Sequence, residues 1–193
     1  MSLIAICGFQ GSGKDTLANI LIEKGYTKVS FAGLLKDIVS IIFSWDRDLL
    51  EGNTEKSRKW REEVDEWWSN RLNISNLTPR YILQHIGTDI FRNHFHQDIW
   101  VAAIERKISN LSGVVITDCR FPNEIELIKK LNGSLIHIHR GEIPSWFGNE
   151  KAFPKNIHIS ELLWTKYKFD KTISNDGDIK QLRIKMVGYL NGV

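Results

Sequence analysis

Along the chain, short apolar runs alternate with stretches in which apolar side chains recur every three or four positions. Leu3–Cys7 (LIAIC) reads as a buried strand. Asp15–Gly25 (DTLANILIEKG) puts Leu17, Ile20 and Leu21 on one helical face and stops at a glycine suited to a C-terminal cap. Tyr26–Phe31 predicts a second strand and Leu34–Phe43 a second helix. Gly113–Asp118 (GVVITD) predicts a third strand, Asn123–Gly133 a short amphipathic helix and Ser134–Arg140 a fourth strand. A fifth follows at Lys171–Ser174, and then a helix with Leu182, Met186, Val187 and Leu190 on one face. Fully apolar strands separated by helices predict a sheet buried on both faces, hence a three-layer α/β fold with five parallel strands.

Between the second and third strands the pattern is helical. Glu55–Leu72 carries Trp60, Val64, Trp67 and Trp68 at helical spacing, with Arg58/Glu62, Lys59/Glu63 and Arg61/Asp65 four apart on the polar side. This predicts one helix whose tryptophans pack. Thr78 and Pro79 form an N-cap and first-turn signature for a helix running on to Phe95. The organisation expected is one domain over residues 1–193, interrupted at about 45–110 by a helical insertion. The loop-rich stretch at about 140–165, with Gly141, Pro144, Gly148 and Pro154, suits a lid.

Composition narrows the function. Hydrophobic content of 42% and charged content of 25% fit a globular protein, and no apolar run approaches the ~20 residues of a membrane span. The opening MSLIAICGFQ lacks a charged leader region, and Cys7 and Cys119 are too few for a disulfide framework, so a cytoplasmic location is expected. The 26 Lys and Arg are interleaved with 23 Asp and Glu, which disfavours a nucleic-acid partner and makes small anions at least as good a fit as DNA.

The anion site is written in ICGFQGSGKDTLANIL (Ile6–Leu21). Gly8, four residues, Gly13 and Lys14 satisfy most of a phosphate-binding loop, and a strand feeds the loop while a helix leaves it. Backbone N–H groups of Gly11, Ser12, Gly13 and Lys14 can converge on phosphate oxygens, Lys14 adds a point charge, and Thr16 offers a hydroxyl. Asp15 stands where the fingerprint asks for Ser or Thr. A carboxylate beside a polyphosphate implies a metal or a metal-bound water between them; the alternative is that Asp15 complements the helix dipole. Asp118, ending the third strand, can hold Mg²⁺ through water, and Arg120 can clamp a transferring phosphoryl group, or the two can pair with each other. His94/His96 and His137/His139 lack the further ligands a metal centre needs.

GSGKDT, FAGLLK (Phe31–Lys36), TPRYILQHIGTDIFR (Thr78–Arg92) with Trp100 beyond it, TDCRFPNE (Thr117–Glu124), HISE (His158–Glu161) and ISNDG (Ile173–Gly177) together resemble the bacteriophage-type deoxynucleoside monophosphate kinases. The resemblance implies a P-loop kinase fold that transfers the γ-phosphoryl group of ATP to a deoxynucleoside monophosphate with Mg²⁺. Arg80, Gln84, Arg92, Trp100 and Arg120 then face the acceptor, and Asn175 lies near the adenine of ATP. Lys14, Arg92, Arg120 and Arg140 surround the transferred group, Asp15 and Asp118 manage the metal, and a homodimer is a reasonable assembly. Bottom-up alternatives remain for single residues: Gln84 facing solvent, Arg80 in a surface ion pair. Rival functions are another small-molecule P-loop kinase, such as a dephospho-coenzyme A kinase, or a non-catalytic nucleotide- or nucleic-acid-binding protein.

Overall fold

The computed structural model describes residues 2–155, 157 and 161–192. They form two compact units, one made of the residues up to Ser30 with those from Ile104 onward, the other of Phe31–Ala103.

The first unit is built on five strands, β1 (Ser2–Cys7), β2 (Thr27–Val29), β3 (Gly113–Ile116), β4 (Ser134–His139) and β5 (Lys171–Ser174). All pair in parallel, in the order β2-β3-β1-β4-β5. Alternation along β1 divides its side chains between the two faces. Ile4 and Ile6 pack with Leu17, Ile20 and Leu21 of α1 (Lys14–Ile22) and with Leu182 and Met186 of α9 (Ile179–Leu190). On the opposite face α8 (Pro122–Lys130) lies against β1 and β4, with Ile125 and Ile128 fully buried. The three predicted layers and all five strands are present. The second strand is shorter than the sequence suggests, because Phe31 already begins a helix.

Chain order reverses at β1, whose neighbours are β3 and β4. In an open α/β sheet the crevice beyond the carboxyl ends of such strands is where ligands bind. The β1–α1 connection sits there.

The second unit contains α2 (Phe31–Phe43), α3 (Arg47–Glu51), α4 (Glu55–Trp60), α5 (Glu66–Leu72), α6 (Pro79–Gln84), a π-helix (His85–Phe95) and the start of α7 (Ile99–Ile108). Its core joins Leu35, Val39, Phe43, Trp45, Leu50, Leu77, Ile82 and Trp100, with Trp60 and Trp68 packed against them. The single helix expected over Glu55–Leu72 is broken. Asp65 caps α5 by accepting from Trp68 N (3.0 Å) and also accepts from Trp45 Nε1 (2.7 Å). Those fixed bonds outweigh the few tenths of a kcal/mol of an exposed i,i+4 pair with Arg61. Trp67 is exposed and lies edge-on to Trp68 at 4.6 Å.

Thr78 caps α6 as the sequence indicates, accepting from Tyr81 N at 3.1 Å. Beyond Gln84 the helix widens to i→i+5 bonding, seen where His96 N donates to Phe91 O (2.9 Å). Gly87 lies inside the wide turn, where an added Cβ would come 2.5 Å from Leu35 Cδ2.

Candidate active site

The loop between β1 and α1 takes a shape that only its glycines permit. Gly11 and Gly13 adopt φ of +78° and +101°, in the left-handed region that L side chains rarely enter. Gly13 is the N-cap of α1 and uses no side-chain cap, so the helix start presents backbone N–H groups directly. A Cβ on Gly13 would stand 2.3 Å from Asn175 Nδ2, which donates to Ser12 O at 2.9 Å. Asn175 is buried, and its own N–H donates to His139 O (2.7 Å). The residue after β5 is thereby stitched to both the loop and β4.

Lys14 lies back along the loop, its Nζ donating to the carbonyls of Gly8 (2.7 Å) and Phe9 (2.9 Å). Burial holds its pKa below the ordinary 10.5; Asp15 opposes that shift, nearby Arg120 adds to it, and Glu161 opposes it. Lys14, Arg120 and Glu161 therefore share one electrostatic neighbourhood. Thr16 is half-buried beside them in the first turn of α1.

Asp15 is exposed and bonded: Lys28 Nζ of β2 is 2.7 Å from its Oδ1, and Thr117 Oγ1, just past β3, is 3.5 Å from the same oxygen. Asp118 accepts from Ser30 Oγ at 2.7 Å. The guanidinium of Arg120 pairs with Glu161, whose carbonyl accepts from Trp164 Nε1 (2.7 Å). The turn carrying Arg120 is fixed by the buried Glu124 carboxylate, which accepts from the N–H groups of Arg120 (2.8 Å) and Phe121 (3.1 Å). Of HISE only Glu161 is among the described residues; His158 to Ser160 lie outside them.

Arg140, following β4, donates from Nε to Asn175 O (3.1 Å). Beside it a cavity of about 390 Å³ is lined by Phe9, Ser12, His137, Arg140 and Glu142, among others. Trp146 and Phe147 of the predicted lid stretch pack on Phe9 (5.6 and 6.4 Å between ring centroids), as does Trp164 (5.0 Å). His137 belongs to this aromatic cluster, stacked on Phe147 at 4.7 Å, and burial followed by the proximity of His139 lowers its pKa to about 4. Among the described residues no cluster of three or more His, Cys, Asp or Glu is arranged to hold a metal by protein ligands alone.

In the helical unit, Arg80 is exposed and ion-paired to Glu62, and Gln84 is exposed at the end of α6. Arg92 is half-buried on the π-helix. Trp100 is buried, its Nε1 donating to Gly87 O at 2.9 Å and its ring 5.1 Å from Phe91. In the sequence Arg61 shows only its i,i+4 relation to Asp65. Its guanidinium instead lies over Gly52, where a Cβ would meet it at 2.1 Å, and burial and then Arg80 depress its pKa. Glu62, the partner of Arg80, and Glu51 act on Arg61 in the opposite sense. Lys28, Ser30 and Glu161 are likewise residues of the site region to which the sequence pointed no role. Each becomes visible only when segments distant in sequence come together.

The sequence profile of the deoxynucleotide monophosphate kinase family matches residues 51–186. The chain is 34% identical to a protein of Acanthamoeba polyphaga mimivirus named "Putative deoxynucleotide monophosphate kinase", over 97% of this chain and 95% of that one. It is 26% identical to the deoxynucleoside-5'-monophosphate kinase of Escherichia phage T5 (67% of this chain, 72% of that one). With the deoxynucleotide monophosphate kinase of Enterobacteria phage T4 the identity is 22%, over 96% and 97%. A family match over more than half of the chain, joined to a relative aligned along nearly its full length, means that the chain belongs to the deoxynucleotide monophosphate kinase family.

Proposed function

We propose that this chain transfers the γ-phosphoryl group of ATP to a deoxynucleoside monophosphate, giving a deoxynucleoside diphosphate and ADP. The observation that carries the reading is the β1–α1 loop: left-handed Gly11 and Gly13, an uncapped helix start and Lys14 together at the switch point of a parallel sheet, in a member of this family.

Phosphoryl transfer asks a protein chiefly to align donor and acceptor and to balance charge on the equatorial oxygens. The amides from Gly11 to Thr16 and the Ser12 and Thr16 hydroxyls bind the donor phosphates, with Gly8 keeping the loop close to β4 and Asn175 bracing it. Lys14 leaves the Gly8 and Phe9 carbonyls for the phosphates it serves. We assign Arg92, Arg120 and Arg140 to the transferred group. Arg80, Gln84 and Arg92 hold the acceptor, and Trp100 supports Arg92 by bracing the π-helix through Gly87. The helical unit is thus the acceptor-binding part of the kinase, and the stretch after Arg140, through Trp146 and Phe147, is the lid over the loop.

Mg²⁺ fits this site. It prefers hard oxygens, keeps several waters and is held by one or two carboxylates together with substrate phosphates. Asp15, and Asp118 in the segment whose Thr117 contacts Asp15, are carboxylates of that kind. When bound, the ion would neutralise charge on the donor phosphates; Asp15 and Asp118 would hold it, directly or through water. No side chain has to act as a strong base. No helix among the described residues is long and apolar enough to cross a membrane. We place the enzyme in the cytoplasm, as a homodimer acting on free nucleotides and not on nucleic acid.

The test is a panel of deoxy- and ribonucleoside monophosphates with ATP and Mg²⁺, following diphosphate products by chromatography. At least one deoxynucleoside monophosphate is converted stoichiometrically with ADP formation. Conversion of dephospho-coenzyme A alone, or ATP consumption with no nucleotide acceptor, overturns the reading.

A further inference from the structure

A carboxylate in the first turn of a phosphate-binding helix is an electrostatic liability, because like charges at contact distance disfavour one another. The structure shows how the liability is met. Lys28 lies on β2, paired in register with Val115 of β3, and extends its ammonium to within 2.7 Å of Asp15 Oδ1. Thr117, beyond the end of β3, approaches the same oxygen. The carboxylate is thus held from two strand ends.

As a device for stability the pair has little to offer: its side chains are 38% and 69% exposed, and such pairs contribute little to folding. Its value lies in where it stands. Asp15 is adjacent in sequence to Lys14 and its charge acts on it, so an unneutralised Asp15 would oppose the field that draws phosphate to the loop.

We infer that Lys28 is a positioning residue for donor binding, neutralising Asp15 through Oδ1 so that the loop's amides and Lys14 meet the nucleotide phosphates without a bare negative charge beside them. The inference rests on the donor-site reading above. It adds that the aspartate at this loop position works as half of an ion pair with a strand lysine. Lys28 acts through Asp15 and not by touching the phosphates.

The experiment is a double-mutant cycle on ADP affinity, measured by calorimetry with EDTA present so that no metal bridges Asp15, alongside steady-state kinetics with Mg²⁺. Lys28→Met weakens ADP binding by about tenfold, raises KM for ATP more than it lowers kcat, and leaves Tm nearly unchanged. Lys28→Arg, which keeps the charge, restores affinity to within about threefold of wild type. In an Asp15→Asn background Lys28→Met changes affinity by less than about twofold, because the charge it balanced is gone. Unchanged affinity in Lys28→Met overturns the inference; so does an equal loss in the Asp15→Asn background, which would mean direct contact or structural damage. A wild-type protein that binds ADP and shows this coupling but phosphorylates no deoxynucleoside monophosphate would leave the ion pair standing and remove the kinase reading. An active kinase without the coupling does the reverse.

Discussion

Replacing Lys14 by Met is expected to lower kcat/KM for ATP by about a hundredfold to a thousandfold while the protein stays folded. Removing one preorganised donor aimed at developing charge typically costs that much. The folding cost is small because two effects oppose. The substitution forfeits the bonds to the Gly8 and Phe9 carbonyls, and it also removes an ammonium that burial already disfavours. The same burial gives the wild type a pH signature. Desolvation penalises the charged form, so free Lys14 loses its proton below the ordinary 10.5, and the alkaline limb of kcat/KM for ATP falls below that value. Steady-state kinetics from pH 7 upward, with circular dichroism on the variant, check both. Near-normal turnover in Lys14→Met would remove Lys14 from the mechanism.

Gly13→Ala is expected to be markedly more damaging than Gly11→Ala, although both glycines have positive φ. At φ of +101° an L residue is strained by about 1–3 kcal/mol. The new Cβ would also stand 2.3 Å from Asn175 Nδ2, displacing the amide that satisfies Ser12 O and costing about 1–3 kcal/mol more for buried groups left unpaired. A loss of about 3 kcal/mol corresponds to roughly 6–12 °C in Tm for a chain of this size. Gly11→Ala is the internal control. Its φ is also positive, but an added Cβ meets nothing within 4 Å, so only the backbone cost of about 1–2 kcal/mol applies. Thermal unfolding of the two variants side by side should separate them by several degrees. Equal losses would mean that Asn175 does not brace the loop.

The parts of the molecule legible in the sequence are those whose physics is local. Strands buried on both faces announce themselves as continuous apolar runs, which is why β1 and β3 fall at the predicted segments; β4 carries two histidines and β5 has only Ile173 buried, so both are read from their place between helical patterns. The phosphate loop is legible because its glycines, lysine and helix start lie within nine residues, Gly8–Thr16. Long-range partners were hidden. The break between α4 and α5 depends on Trp45 reaching Asp65 across twenty positions, and a periodicity argument confined to one window cannot contain that bond. Widening to a π-helix after Gln84 likewise depends on Gly87 being met by Leu35 and by the indole of Trp100. Asp15 is the clearest case in the site. The sequence flags it as an anomaly and suggests a cation as the remedy, but that Lys28 already supplies one emerges only when β2 lies beside β3. Arg120 is legible by its charge alone; the buried Glu124 that fixes its turn and the Glu161 that pairs with its guanidinium come from the fold.

The central claim is that the amides at the start of α1 receive the phosphates of a nucleotide. It is tested most directly by titrating ¹⁵N-labelled protein with ADP and following the backbone resonances of Gly11, Ser12, Gly13, Lys14, Asp15 and Thr16. The account predicts that these shift first and furthest, saturating together with a single dissociation constant, and that Lys14→Met weakens it. Saturable ADP binding that leaves all six amides unmoved would contradict it.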